Sequence, residues 1–227
     1  MRALIHFLSR CWGYSPLGWL RNTRRMRAWV RATGPLHHPP APGALHIGVV
    51  ITPWLDTTVP WFTLAAGLFL ACRGNRVSFL IDDSPFGDNP ARYRFVLGCV
   101  RFVLARIPGP CTQLVLSSQR AGPTQPAPDA QSRFAIELLA GLNAVWQLRG
   151  EMLPSRRAAN TSICTAQLTQ ADPSIAKLMQ PDAFDILFVP GGVYGNSGLW
   201  ARHARTAGIR IASFDSGRYV TVMVASP

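Results

Sequence analysis

The sequence predicts an α/β protein: an open sheet of parallel strands with helices on both faces. Three observations carry this expectation. Short, continuous apolar runs rich in Val, Ile and Leu recur along the chain (HIGVVIT, RVSFLI, DILFV, RIASF), as in strands buried on both faces. Longer segments with helical periodicity separate them, the alternation of βαβ units. Two late runs, 184–192 (FDILFVPGG) and 210–217 (RIASFDSG), stop at glycine. Glycine there lets backbone approach a ligand without a Cβ in the way. Ligands of open α/β sheets bind in the crevice outside the carboxyl ends of the strands.

Residues 1–43 differ in character from the rest and form a basic, aromatic arm. Seven arginines (Arg2, Arg10, Arg21, Arg24, Arg25, Arg27, Arg31) precede Asp56, the first acidic residue. The whole chain has a net charge of +12; without those seven it carries about +5. Trp12, Tyr14, Trp19 and Trp29 interleave with the arginines. Two readings of this arm are equally open: a helix lying on an anionic membrane surface, or an irregular arm packed on the domain with solvated arginines. No recognised nucleic-acid motif accompanies the basic residues, and no nucleic-acid partner is expected. No signal-peptide cleavage site follows the short apolar stretch at 3–8. His37 and His38 open a stiff Pro-rich linker.

Residues 44–227 then read as one α/β domain. The first strand is expected at 46–52, a loop at 53–60, and an apolar helix at 61–73 closed by Gly74. That apolar stretch is shorter than the roughly 20 residues needed to span a bilayer. A second strand at 76–81 ends in Asp82-Asp83. The spacing of Phe95, Cys99, Phe102 and Val103 predicts a helix over 91–107, followed by a third strand at 113–118. Pro123, Pro126 and Pro128 make 121–129 an exposed loop. A helix capped by Ser132 is expected at 132–148. Segment 151–171 has no decisive pattern; a short helix follows at 174–179, then a strand at 185–189. A helix at 198–207 closes at Gly208 and leads into a strand at 210–214. The run 219–225 reads as one more apolar segment that stops in mid-architecture, and a truncated protein or half of a split enzyme is expected.

Several chemistries are disfavoured by what the strand ends contain. Thr52-Pro53-Trp54-Leu55-Asp56-Thr57-Thr58 follows the first strand where a dinucleotide fold would carry GxGxxG, and no GxxxxGK[ST] loop or GxSxG elbow occurs. The five cysteines (Cys11, Cys72, Cys99, Cys111, Cys164) are scattered without a CxxC pair. That argues against a disulfide framework or a zinc site and fits a reducing cytoplasm; no metal is expected.

What the strand ends do offer is a rim of small polar groups. Asp56, Thr57 and Thr58 follow the first strand, Asp82 and Asp83 the second, and Ser117 and Ser118 the third. Gly191, Gly192, Tyr194, Gly195, Asn196 and Ser197 follow the fourth; Asp215, Ser216 and Gly217 follow the fifth. Carboxylates beside Asn, Ser and Tyr hold sugar hydroxyls well, and one can serve as a general base. The same residue types cap helices and form turns, which these loops need anyway. Asp56 and Asp215, which no helix cap obviously requires, are the catalytic candidates.

The strand at His46, the Asp82-Asp83 strand end and the block FDILFVPGG…GLWARHARTAGIRIASFDSG resemble the N-terminal, acceptor-side Rossmann-like domain of a GT-B glycosyltransferase of the bacterial surface-polysaccharide type. The resemblance spans about 46–217. It implies transfer of a sugar from a nucleotide-sugar donor to a glycan or lipid-linked acceptor, with Asp56, Gly191, Gly192 and Asp215 lining the interdomain cleft. It implies no resident cofactor; the nucleotide-sugar is a substrate held mainly by a separate donor-binding domain. Pro190 stands near the position where many GT-B enzymes carry a histidine. With the arm, the resemblance implies a cytoplasmic protein, peripheral at the inner face of the membrane. Val189-Pro190-Gly191-Gly192 is also similar to the PfpI and glutamine-amidotransferase-like proteins, but Asp215 occupies the place where their nucleophilic cysteine is expected. A non-catalytic, membrane-associated binding module is the third reading.

Overall fold

The computed structural model describes residues 16–33, 40–52, 59–84, 90–106, 111–119, 129–148, 154–216 and 221–226. These form six α-helices and one six-stranded sheet. In chain order they are α1 (Pro16–Thr33), β1 (His46–Ile51), α2 (Val59–Cys72), β2 (Arg76–Ile81), α3 (Pro90–Leu104), β3 (Thr112–Val115) and a 3-10 turn (Leu116–Gln119). Then follow α4 (Ala130–Leu148), α5 (Pro154–Leu178), β4 (Ile186–Pro190), α6 (Ser197–Thr206), β5 (Arg210–Ser216) and β6 (Thr221–Ser226).

The strand order is β3-β2-β1-β4-β5-β6. The first five strands are parallel, as the buried apolar runs predict, and β6 is antiparallel to β5. Within the last apolar run, Thr221–Ser226 form β6, paired from Thr221 with Ser216 to Ser226 with Ile211.

Alternation along each strand divides the interior into two cores, because successive side chains point to opposite faces. Ile47, Val49 and Ile51 of β1, Val77, Phe79 and Ile81 of β2, Phe188 of β4 and Phe214 of β5 enter the first. Val30 of α1, Leu64 and Leu68 of α2, and Val96, Val100 and Val103 of α3 close it. Val50, Leu80, Leu187, Val189 and Ile211 enter the second, under Ile136 of α4, Leu168 and Ile175 of α5, and Leu199 and Trp200 of α6. Close packing fixes at least one glycine: a Cβ on Gly67 would lie 2.4 Å from Cε1 of Phe79, which is fully buried and has nowhere to go.

Helix ends follow local chemistry. At the end of α2, Gly74 has φ +84; its N–H donates to Ala71 O, and the Asn75 N–H donates to Leu70 O. At the end of α6, Gly208 has φ +72, and the same pair of bonds runs from Gly208 to Arg205 and from Ile209 to Ala204. Both are Schellman endings, which need the left-handed residue glycine supplies. The expected Ser132 cap is replaced by Asp129, whose Oδ1 accepts the Ser132 N–H at 2.7 Å. The helix therefore starts earlier, at Ala130, and Ser132 is buried in its first turn. Those bonds from Ser132 hold the Asp129 carboxyl below its ordinary pKa.

The largest correction concerns 151–179. In place of an undecided segment and a short helix there is one helix, α5, running through Pro173. Sequence periodicity is weak there because Cys164, Leu168, Ala171 and Ile175 supply a narrow apolar stripe in a polar helix. Packing against α4 and α6 holds it despite the proline, as tertiary burial overrides local preference. The arm, read as interfacial or irregular, contains a helix docked on the domain: Val30 and Thr23 of α1 are buried, and the Arg27 guanidinium lies 4.9 Å from the centre of the Phe102 ring of α3. Its remaining residues up to 15, and 34–39, lie outside the described residues. Among the described residues no helix is long and apolar enough to cross a membrane.

Candidate functional site

The connections set where a ligand crevice can form. The β1-α2-β2-α3-β3 run winds outward over one face; after β3 the chain returns through α4 and α5 over the other face to place β4 beside β1. Helices leaving the carboxyl ends of β1 and β4 therefore diverge to opposite faces, the topological switch point of a doubly wound sheet.

Asp82 is the centre of this rim. Its backbone N–H continues the sheet by donating to Ile51 O at 3.0 Å. Following Ile81, which faces the first core, its side chain turns to the second face and reaches the start of α6. Asn196 Nδ2 donates to both carboxylate oxygens, at 3.1 and 2.9 Å, and Trp200 Nε1 donates to Oδ2 at 3.1 Å. The Ser84 N–H adds a bond to Oδ1 at 3.1 Å. The carboxyl is 1% exposed, and burial pushes its pKa up to about 6, against the pull of these donors.

Asp83 points the other way. It accepts the Ser117 N–H at 2.7 Å, the Ser117 hydroxyl, and Arg101 of α3 at 3.1 Å. One Asp-Asp pair thus ties β2 to α6 on one side and to β3 and α3 on the other. The expected third strand gives way at Ser117 and Ser118 to the 3-10 turn that presents these donors.

The β4–α6 turn is shaped by glycine and by a residue from α4. Gly191 and Gly195 both have φ +61, and Gly191 N–H donates to Phe214 O at 2.7 Å. Asn143, fully buried, accepts the Gly195 N–H on Oδ1 at 2.7 Å and donates through Nδ2 to Leu139 O at 2.9 Å. Asn196 precedes α6 but makes no side-chain capping bond; its amide is committed to Asp82. Among the described residues, three buried oxygens at this switch point have no hydrogen-bond partner: Thr52 Oγ1, Asn196 Oδ1 and Ser197 Oγ.

Of the residues expected at the rim, the structure brings together Asp82, Gly191, Tyr194, Asn196 and Ser197. Gly192 is exposed and open to a ligand. Tyr194 is half-buried with its ring 5.8 Å from Trp146. Asp82, Asn196 and Ser197 are all at most 3% exposed, so they lie buried beneath the rim. Asp215 and Ser216, expected beyond the last strand, belong to β5 and stand in register with Val222 and Thr221. Asp56, Thr57, Thr58 and Gly217 lie outside the described residues.

Sequence reasoning missed Asn143 and Trp200, which sit inside helices where apolar periodicity hides them. It also missed the His203–Asp172 contact (2.7 Å), which joins α6 to α5 beneath the turn. His46 Nε2 lies 2.8 Å from Ser78 Oγ, but this pair is at the amino ends of β1 and β2, away from the rim. No group of three His, Cys, Asp or Glu side chains able to hold a metal occurs among the described residues.

Fold and rim together define a doubly wound, Rossmann-like α/β protein with its switch point between β1 and β4. No family model matches the chain, and no curated protein matches it. Among solved structures it is similar to a CDPS (cyclodipeptide synthase) from Fluoribacter dumoffii at 10% identity, over 80% of this chain and 91% of that one, with a TM-score of 0.47.

Proposed function

We propose that this chain is the acceptor-side, Rossmann-like domain of a GT-B glycosyltransferase, and that the β1/β4 crevice holds the sugar of a glycan or lipid-linked acceptor. The observation that carries this reading is the buried Asp82–Asn196–Trp200 network under a glycine turn. It ties the β2 end to the start of α6 at the switch point, where the strand ends of an open α/β sheet bind ligands and where polar groups suit a polyhydroxylated one. In this reading the donor nucleotide-sugar binds chiefly to a separate domain, and Asp56 and Asp215 are the candidates for general base. The amidotransferase-like alternative requires an activated thiol. Burial pushes the thiols of Cys72, Cys99, Cys111 and Cys164 upward, that of Cys111 to about 11, and none belongs to the β4 or β5 strand ends.

Saturation-transfer NMR with oligosaccharides and short-chain lipid-linked sugars tests the proposal on the 227-residue chain. Saturation of the sugar ring protons is expected, and Asn196→Ala should weaken binding by roughly tenfold, about 1.4 kcal/mol. Absence of transfer to every sugar, or transfer confined to nucleotides, would exclude an acceptor site.

A second partner has its own observation. Arg27, Arg31 and Arg106, with Val30 and Val103, line a cavity of about 330 Å³ between α1 and α3. Arg106 stacks 3.6 Å from the centre of the Phe102 ring, and Arg27 Nε is buried without a partner among the described residues. Guanidinium groups held together in this way favour phosphate oxygens, which supports an anionic membrane surface as the partner of the arm. Co-sedimentation with phosphatidylglycerol vesicles but not with phosphatidylcholine vesicles is expected, weakened severalfold by Arg27→Gln/Arg31→Gln. Equal pelleting with both lipids would argue against it.

A further inference from the structure

The outer face of α4 is apolar and uncovered. Phe134 is 69% exposed, Leu138 55%, Leu142 45%, Val145 36% and Trp146 66%. Monomeric proteins rarely show a contiguous apolar surface of this kind without using it. The opposite face of the same helix is committed to the second core through Ile136 and Ala140, with Ala144 also buried, so rotation cannot bury the stripe.

We propose that this face is a twofold interface with a second copy of the same chain, the two α4 helices packing antiparallel with the axis level with residue 140. The spacing is self-complementary about that point: Phe134 and Trp146 lie equally far from it, as do Leu138 and Leu142. An antiparallel twofold then sets Phe134 against the second copy's Trp146 and Leu138 against its Leu142, the isologous arrangement such symmetry requires. Gly141 has open space around its missing side chain, so the two backbones can approach closely at the centre.

Glu137 and Arg157 border the groove of about 810 Å³ between α4 and α5. The exposed apolar area is on the order of 500 Å² per copy, from two aromatic and three aliphatic side chains. Two copies bury about 1,000 Å², the lower limit for a specific interface, so the dimer forms and separates reversibly.

Sedimentation equilibrium of the full chain from about 1 to 200 µM, the range in which such small interfaces dissociate, tests the proposal. The mass is expected to double across that range. Leu138→Glu, an exposed position whose change leaves the far-UV circular dichroism unaltered, should remain monomeric throughout. A short bismaleimide reports the register: Leu138→Cys should crosslink copies well above the background of the parent chain, while Phe134→Cys should not. In the proposed register the two 134 positions stand about 18 Å apart along the helices, and the two 138 positions about 6 Å. A chain monomeric at all concentrations overturns the inference. So does a dimer indifferent to Leu138→Glu, or equal crosslinking at 134 and 138. A monomer whose vesicle binding is abolished by Leu138→Glu assigns the face to a membrane and overturns it too. This inference does not rest on the glycosyltransferase reading, and neither result decides the other.

Discussion

Trp200→Ala is expected to remove about 3–5 kcal/mol of stability, the range for truncating a large buried aromatic. Trp200 is fully buried and the largest such side chain among the described residues. It fills the second core beneath the β4–α6 turn and is also one of the donors to Asp82. Domains are typically stable by about 5–15 kcal/mol, so this one change consumes a large share. The companion variant Trp200→Phe separates packing from hydrogen bonding. It keeps most of the apolar volume but leaves a carboxylate oxygen short of a donor, at a cost of about 1–3 kcal/mol. Urea unfolding followed by circular dichroism reads both. A Trp200→Phe protein as stable as the parent would mean that the indole N–H contributes nothing to holding Asp82.

Lowering the pH is expected to stabilise the protein through Asp82, the reverse of the usual carboxylate. Its folded pKa, about 6, lies above the ordinary 3.8. The native state therefore holds its proton more tightly than the unfolded chain does. The contribution is fully present below the unfolded value and is lost as pH rises through about 6. The full difference is roughly 3 kcal/mol, of which about 2 kcal/mol falls between about pH 7.5 and pH 4.5.

His46 works in the opposite sense. Burial lowers its pKa, so its contribution is present above the unfolded value and fades as pH falls. The measurement is therefore a difference. The stability of the parent minus that of Asp82→Asn, taken by urea unfolding from about pH 7.5 to 4.5, should rise by about 2 kcal/mol toward acid. The amide introduced by Asp82→Asn keeps an acceptor for Asn196 or Trp200 and removes the titration. A difference that is flat, or that falls toward acid, would show that Asp82 does not titrate as a buried carboxyl.

Much of the fold was legible because strands and helices announce themselves by period. β2 was readable to the residue, and β1, β4 and β5 nearly so, since Val, Ile and Phe fill both faces of a central parallel strand. Gly74 and Gly208 marked two helix ends because only a left-handed residue closes a Schellman turn. The continuity of α5 through Pro173 was not legible, because a narrow stripe gives little periodic signal and its support comes from α4 and α6. The direction of β6 was not legible either, since an apolar edge strand reads the same either way.

The candidate site divides in the same way. The sequence located it: glycines at 191 and 195, Asn196 and the Asp82-Asp83 pair all stand at strand ends, and strand ends of a parallel sheet share one rim. What Asp82 and Asp83 do there depended on tertiary structure. Adjacent residues leaving a strand point to opposite faces, so this carboxylate pair splits between α6 and the β3–α3 side. Nothing in local sequence couples Asp82 to Asn196 and Trp200, more than a hundred residues away, or Asn143 to Gly195. By itself the sequence determined the sheet, its buried strands and the polar rim at their ends, because burial and backbone conformation are written residue by residue. Only the folded chain decided which polar groups lie buried beneath that rim and which helix face is left uncovered, because both depend on which elements meet in space.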